Sequence, residues 1–526
     1  MRRSTRRRDF ISEPPSTEAR RPSPPLCRLP GAALGALFLL TACDRGAKQE
    51  ALPGAVEVPP AEPPRASLEV PRPSPESKGT AQSATEAPPD APKRQDGPAP
   101  PDAAGRRLFA KSRNVWIRSE PSYRAQWIGA LAWGNAVRLR SEEPKSGPGC
   151  AGPWAPVEPR GWVCIDGERA TFDEDDPVYQ KILPYRARVE SPWPHRYAVT
   201  TKDVRRFESL EHARPFLEAR RGRDAALTGT LAPELPPLPK GLSERRDRIV
   251  ARSAFAYADQ GDAFGIGLLL AGDLSWVPRG DVTLVPPSEF QGVELVGEKR
   301  LPIAFFRRDE TPAYRRLAPG EFERAPHTFP RHGHVLLDEP PESVGRTRYY
   351  RVTGSDLWVS HREAVIAEPE FPQKGPGVDR DTTVEISILG GWLVAFRKDR
   401  PVYVTMISAG RGGGPVPGRE LVSTASTPVG RFEISSKLKT ATMESSGGPI
   451  IHGDVPWTQN FSGPHAIHTA YWHDDFGDLK SAGCVNVSPK DGKWLFEFTE
   501  PQVPENWHAV RYLSRYGGTT RVILHE

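Results

Sequence analysis

Proline decides where this chain can fold. Its 526 residues carry 58 prolines, and these crowd into particular stretches, above all residues 44 to about 105, where Pro, Ala, Glu and Ser dominate. Proline gives no N–H to a helix or a central strand, and this stretch also lacks the apolar periodicity that a buried core requires. Residues 44–105 therefore read as an extended, disordered tether, locally stiffened by proline. Its expected role is to hold the folded domains away from a membrane surface. The apolar fraction of the whole chain, 37%, is low, while the length suggests several domains.

The segment ahead of the tether reads as a targeting sequence. Many arginines precede Gly31–Ala42, a run of small and apolar residues. The run is too short to span a bilayer as a helix and has the form of a signal-peptide core. It ends in Leu40-Thr41-Ala42-Cys43, which resembles the lipobox of bacterial lipoproteins. That resemblance implies cleavage before Cys43 and acylation of its thiol. Residues 1–43 are thus expected to be a signal peptide with lipobox, and the protein to lie in the cell envelope, lipid-anchored and facing the periplasm. The region before Leu29 is long for a signal peptide. The formal net charge of +5 is small for this length and much of it sits in the first 30 residues, so no nucleic-acid partner is expected.

The five cysteines then divide by role. Cys27 falls in the removed segment and Cys43 would carry lipid. Cys150 and Cys164 lie close together in one small segment, and an exported compartment permits a disulfide between them. Cys484 is left over, and an unpaired cysteine in an exported protein invites the reading of a reactive thiol. Sixteen positions upstream lies His468, and a nearby imidazole is the usual means of generating a thiolate. The competing reading of Cys484 is an inert buried cysteine.

The folded part is expected to be mainly β and multi-domain: small β-barrel modules followed by a β-rich catalytic domain. Val115-Trp116-Ile117-Arg118 and Ala136-Val137-Arg138-Leu139-Arg140 alternate as half-buried strands, and Gly161-Trp162-Val163-Cys164 closes the segment. The pattern resembles a bacterial Src-homology-3-like module over 106–172. Related endings recur at Trp276-Val277-Pro278 and at Trp358-Val359-Ser360, the latter preceded by Ala304-Phe305-Phe306-Arg307. Residues 173–298 are accordingly read as an α+β region ending in a β module, with helix over part of 204–222, and 299–372 as a second Src-homology-3-like module. From 379 to 526 the chain is strand-rich again. Thr383–Ile388, Trp392–Phe396 and Val402–Met406 are separated by turns at Gly390-Gly391 and at Lys398–Pro401. Ser488-Pro489 ahead of Lys490–Phe498 predicts a capped helix with proline in its first turn.

The order of motifs in this last region is recognisable. The opening strands, Ser408-Ala409-Gly410-Arg411, Thr427-Pro428-Val429-Gly430-Arg431-Phe432, His468, and Ser481-Ala482-Gly483-Cys484-Val485-Asn486 together resemble the L,D-transpeptidase (YkuD-type) catalytic domain over roughly 379–526. The resemblance implies a β-rich domain with a cleft and ping-pong acyl transfer, without cofactor or metal. Cys484 would attack the carbonyl before a terminal D-alanine of a peptidoglycan tetrapeptide stem and form a thioester. An amine, from the diaminopimelate of a neighbouring stem or from a protein, would resolve it, giving a 3→3 cross-link in the first case. His468 would be general base and acid. Backbone N–H groups around Gly483 and Cys484 would hold the oxyanion, one such donor being worth roughly 3–4 kcal/mol in the barrier, with Ser481 and Thr469 shaping that loop. Asn486, Tyr471 and Trp472 would contact substrate.

The family's usual sequence is Ser-His-Gly-Cys, and here Ala482 replaces the histidine. The departure bears on substrate binding and rate, and keeps two other readings open: a hydrolase of the same fold that resolves the thioester with water, and a catalytically degenerate peptidoglycan-binding lipoprotein. A zinc site built from His465, His468, His473, Asp474 and Asp475 is disfavoured, because their spacing fits no helical zinc motif. His332-Gly333-His334 reads as a surface loop, and Gly412-Gly413-Gly414 lacks the Lys-Ser/Thr of a phosphate loop.

Overall fold

A computed structural model describes residues 105–221, 248–263, 265–369, 381–444 and 450–526. The expected signal peptide, the lipobox with Cys43, Cys27, and all of the tether before residue 105 lie outside the described residues. What is described is mostly strand with few helices, distributed over several sheets, so the mainly β, multi-domain expectation holds.

Residues 382–526 build around a six-stranded sheet. Strand Thr382–Ser387 pairs antiparallel with Trp392–Arg397, which pairs with Arg400–Met406. On its other side Thr382–Ser387 runs parallel to the C-terminal strand Arg521–His525, in the register Val384↔Val522 and Ile386↔Leu524. The chain end therefore lies inside the sheet. Alternation puts Val384, Ile386, Leu393, Ala395 and Leu524 into one core with Ile467, Val485 and Leu495. Leu495 comes from the helix Pro489–Phe498, where Ser488 accepts a hydrogen bond from the Asp491 N–H and Pro489 opens the first turn, as its sequence predicts.

The upstream β segments do not bury their apolar faces alone. Leu108, Val115, Ile117, Leu131 and Val163 share a core with Trp507 and Val510, and strand Trp127–Leu131 pairs with Ala509–Arg511. Strand Ala254–Ala263 meets the long strand Ile451–Ser462 in parallel at Ala254↔His452. Phe290, Ile303, Phe305 and Val365 pack against Trp392, Val394, Phe396 and Phe476.

Within 204–222 the helix runs Leu210–Arg221, as expected for part of that stretch, and Val204–Arg205 is a strand; a second helix, Pro177–Ile182, precedes them. Strand Arg196–Thr200, in the expected α+β region, pairs with both Ala254–Ala263 and Val282–Val285. Val293–Glu294 joins the edge of the six-stranded sheet beside Arg400–Met406. Each of these strand placements is set by a distant partner strand, which a window of sequence does not contain. Cys150 and Cys164 are joined, with Cα atoms 5.6 Å apart.

Candidate active site

His468 and Cys484 come from neighbouring elements. Strand His465–Thr469 runs parallel to Val485–Val487, in the register Ile467↔Val485, His468↔Asn486 and Thr469↔Val487. Cys484 immediately precedes the second strand. It is half-buried and is the one free cysteine among the described residues.

The loop before Cys484 is held at several points. Ser481 N–H and Lys480 N–H donate to the Ala409 carbonyl at 3.0 and 2.9 Å, and Arg411 N–H donates to the Ser481 carbonyl at 2.9 Å. Thr427, fully buried, links two segments: its Oγ1 accepts from Gly410 N–H at 2.8 Å and donates to the Gly483 carbonyl at 3.0 Å. The Thr-Pro-x-Gly turn thus has a definite part in the site, one that the sequence motif did not state. Gly483 is required where it stands, with φ +130° and with Ser426 O and His465 Nε2 at 2.8 and 2.9 Å from where a Cβ would sit.

Electrically the pair is neutral at rest. Burial pushes the Cys484 thiol up, against the Ala466 N–H that favours the thiolate, and the thiol donates to the Pro464 carbonyl at 3.7 Å. His468 is 3% exposed. Burial is the main cause that lowers it to about 4, with His473 adding to the effect and the Thr469 carbonyl opposing it.

A chain of hydrogen bonds fixes the imidazoles. Asp475 N–H donates to His473 Nδ1 at 3.3 Å, leaving the proton on Nε2, which lies 3.2 Å from Asn486 Oδ1. The Asn486 amide nitrogen then donates to His468 Nε2 at 3.2 Å, and His468 Nδ1–H donates to the Thr469 carbonyl at 3.1 Å. Every member of the chain is satisfied by this one tautomer assignment. The lone pair that would take the thiol proton is therefore held by Asn486 in this arrangement.

Asn486, expected to contact substrate, is 1% exposed and lies hydrogen-bonded between His473 and His468. Tyr471 is enclosed too, stacked on Tyr197 at 3.8 Å with its hydroxyl on the Gly453 carbonyl; its aromatic bulk serves packing. Trp472 stays half-buried, stacked on His452 at 3.9 Å with its ring 5.9 Å from His468. Thr469 contributes its carbonyl to His468, and its side chain packs towards Gly492 of the helix. Gly483 N–H is engaged by Ser481 Oγ at 3.0 Å, and that hydroxyl donates to the Cys484 carbonyl at 2.5 Å, so Gly483 N–H is not an open oxyanion donor here. Ala482 is exposed.

The loop between His468 and Cys484 is clasped from the 303–367 strands. Arg307 and Arg308 pair with Asp478 at 3.1 and 2.9 Å, and Arg331 with Asp475 at 3.2 Å. His332 is half-buried and meets the Asp474 carbonyl at 3.2 Å, so the expected surface loop is a contact with the site. Among the described residues no three His, Cys, Asp or Glu side chains form a group able to hold a metal ion. Thr427 belongs to a motif that the sequence marked without giving its contacts, while His473 and His465, which has a buried Nε2 without a hydrogen-bond partner, were weighed only as zinc ligands; their proximity to Cys484 arises from strand pairing and loop closure.

Residues 382–522 match the L,D-transpeptidase catalytic domain family, YkuD. No curated protein matches the chain. Among solved structures it is similar to the L,D-transpeptidase of Xylanimonas cellulosilytica, at 23% identity over 28% of this chain and 63% of that one, with a TM-score of 0.20. It is similar also to the L,D-transpeptidase of Stackebrandtia nassauensis, at 20% identity over 28% and 57% with a TM-score of 0.19. A third is Mycobacterium tuberculosis L,D-transpeptidase 1, at 18% identity over 28% and 62% with a TM-score of 0.18. The chain thus spans less than two thirds of the length of each of these proteins.

Proposed function

We propose that the protein is a cell-envelope acyltransferase of the L,D-transpeptidase type, acting on peptidoglycan stem peptides and anchored through lipid on Cys43. The observation that carries the reading is that the 382–522 match contains the free thiol of Cys484 and the buried neutral imidazole of His468 on elements joined by one parallel strand pair.

In this reading Cys484 Sγ attacks the carbonyl carbon before the terminal D-alanine of a tetrapeptide stem. Its proton passes to His468 Nε2 once the Asn486 amide releases that lone pair. The C–N bond breaks, D-alanine leaves as the amine with the proton returned from His468, and a thioester remains. An acceptor amine, that of a diaminopimelate or of a protein, then attacks the thioester, gives its proton to His468, and the thiol is reformed as the C–S bond breaks. Starting from a neutral pair, both acyl steps depend on base catalysis rather than on a preformed thiolate.

A second reading, a degenerate wall-binding protein, draws on Ala482 and on the engagement of Gly483 N–H and His468 Nε2. Incubation of the protein with disaccharide tetrapeptides, followed by product analysis, separates the readings. Transpeptidation predicts free D-alanine and 3→3 dimers. D-alanine with tripeptides alone would mean hydrolysis, and unchanged substrate would overturn the enzyme reading.

A further inference from the structure

The turn between strands Glu321–Phe329 and His334–Val344 reaches the loop that follows His468. Two of its side chains, Arg331 and His332, meet one peptide unit there. The Asp474 carbonyl accepts from the Arg331 guanidinium and, at 3.2 Å, from His332 Nε2–H. Arg331 also reaches the Asp475 carboxylate at 3.2 Å, and Ser288 Oγ donates to the Asp474 carboxylate. Phe290 meets the rings of both His332 and Phe476, at 4.9 and 5.6 Å.

The other side of that peptide unit faces the histidines. Asp475 N–H lies in one plane with the Asp474 carbonyl, and it donates to His473 Nδ1 at 3.3 Å. His473 therefore keeps its proton on Nε2, against Asn486 Oδ1, and Asn486 turns its amide nitrogen to His468 Nε2, each at 3.2 Å. Every link has one sense, because a carbonyl oxygen only accepts and an N–H only donates. Donors on the carbonyl polarise the N–H across the amide, and a fixed peptide plane fixes where that N–H points.

We propose that Arg331 and His332 are positioning residues for His468, acting through the Asp474–Asp475 peptide, His473 and Asn486. Strands upstream of the 382–522 region thereby set the tautomer and basicity of an imidazole within it. The assignment rests on the transferase reading only for what His468 does with its proton. The charged and titratable groups around the two imidazoles are Asp474, Asp475 and Lys480 of the loop, Arg331 and His332 of the turn, and His452 of strand Ile451–Ser462. Without the guanidinium, Asp475 is left with Lys480, at 3.0 Å. The two carboxylates then favour an imidazolium at His473, and a protonated Nδ1 cannot accept from Asp475 N–H. Asn486 is freed and His468 Nε2 loses its donor. Loss of a nearby cation and loss of a donor to the lone pair both raise the pH at which His468 takes a proton.

Nitrogen-15 NMR of the full chain, labelled at histidine, tests this without substrate; His473→Gln and His468→Gln assign the signals. In the unsubstituted protein His473 should carry its proton on Nε2 and His468 on Nδ1. In Arg331→Gln, and in Arg331→Ala as a second variant, both midpoints should rise on the order of one pH unit. The acid limb of Cys484 acylation by a carbapenem should rise with them. Arg308→Ala, which removes a guanidinium from Asp478 of the same loop, should leave the midpoints in place. Midpoints unmoved by the loss of Arg331, or moved equally by Arg308→Ala, would overturn the proposal. So would a His473 protonated on Nδ1 in the unsubstituted protein, whatever the variants do. A protein that takes up no carbapenem yet shows the shifted midpoints would sink the transferase reading alone.

Discussion

Thr427 illustrates what a single residue does in this site and why its role was hidden. Its hydroxyl is donor to the Gly483 carbonyl and acceptor from Gly410 N–H, joining two loops that lie far apart in the chain. Replacement by valine keeps the shape and removes both bonds, leaving a buried donor and a buried acceptor unmet. The expected cost is about 1–3 kcal/mol of stability, read by urea unfolding, together with a slower acylation of Cys484; Thr427→Ser should restore both. Unchanged stability and rate in Thr427→Val would show that the two bonds hold nothing that matters to the site. Cys484 and His468 could be singled out as candidates because thiol chemistry restricts residue types and the motifs around them are local. Asn486 and Tyr471 were assigned to substrate because a sequence motif marks a position near a site without saying which way its side chain points. The fold buries both side chains, which no local motif states.

The helix Pro489–Phe498 shows the same contrast at the scale of an element. Its start was readable from Ser488-Pro489, since capping is local. Its anchoring was not. Asp491 is fully buried and accepts from Tyr403 Oη at 2.7 Å, Thr405 Oγ1 at 2.6 Å and Gly292 N–H at 2.8 Å. These bonds fasten the helix to strand Arg400–Met406 and to the segment just before Val293–Glu294. Asp491→Ala would remove the shared acceptor of these three donors, of which Thr405 Oγ1 keeps the Met406 carbonyl, and is expected to cost about 2–4 kcal/mol, measured by urea unfolding. A loss below about 0.5 kcal/mol would show that the helix is held by its apolar face alone. Pairing of Thr382–Ser387 with the C-terminal strand was equally invisible, because parallel partners so distant in the chain share no local signal.

Across the whole molecule, the alternating strands and turn residues were enough to recognise a β-rich, multi-domain chain, but not the sharing of cores between its parts. Trp507 completing the 107–171 core and Phe476 completing that of the 303–367 strands are tertiary facts. The same enclosure buries several imidazoles. His452, His468 and His508 are each lowered to about 4, burial being the main cause. In the unfolded chain they titrate near about 6.5, so between pH 6.5 and 4 the unfolded chain binds more protons than the folded one. Their contribution to stability is complete above pH 6.5 and is lost as the pH falls to about 4, on the order of 3 kcal/mol for each imidazole. The urea midpoint should therefore drop steeply between pH 6.5 and 4.5. A flat midpoint over that interval would show that the histidines are not held neutral by the fold.

Whether Cys484 is an acyl-accepting nucleophile served by His468 is decided by the intact mass of the protein after incubation with a carbapenem. One covalent adduct is expected, mapped to the peptide containing Cys484, absent from Cys484→Ala and formed at least 100-fold more slowly in His468→Ala, in line with the general range for base catalysis. An adduct that persists in Cys484→Ala, or a folded wild-type protein that takes up none, would contradict that assignment.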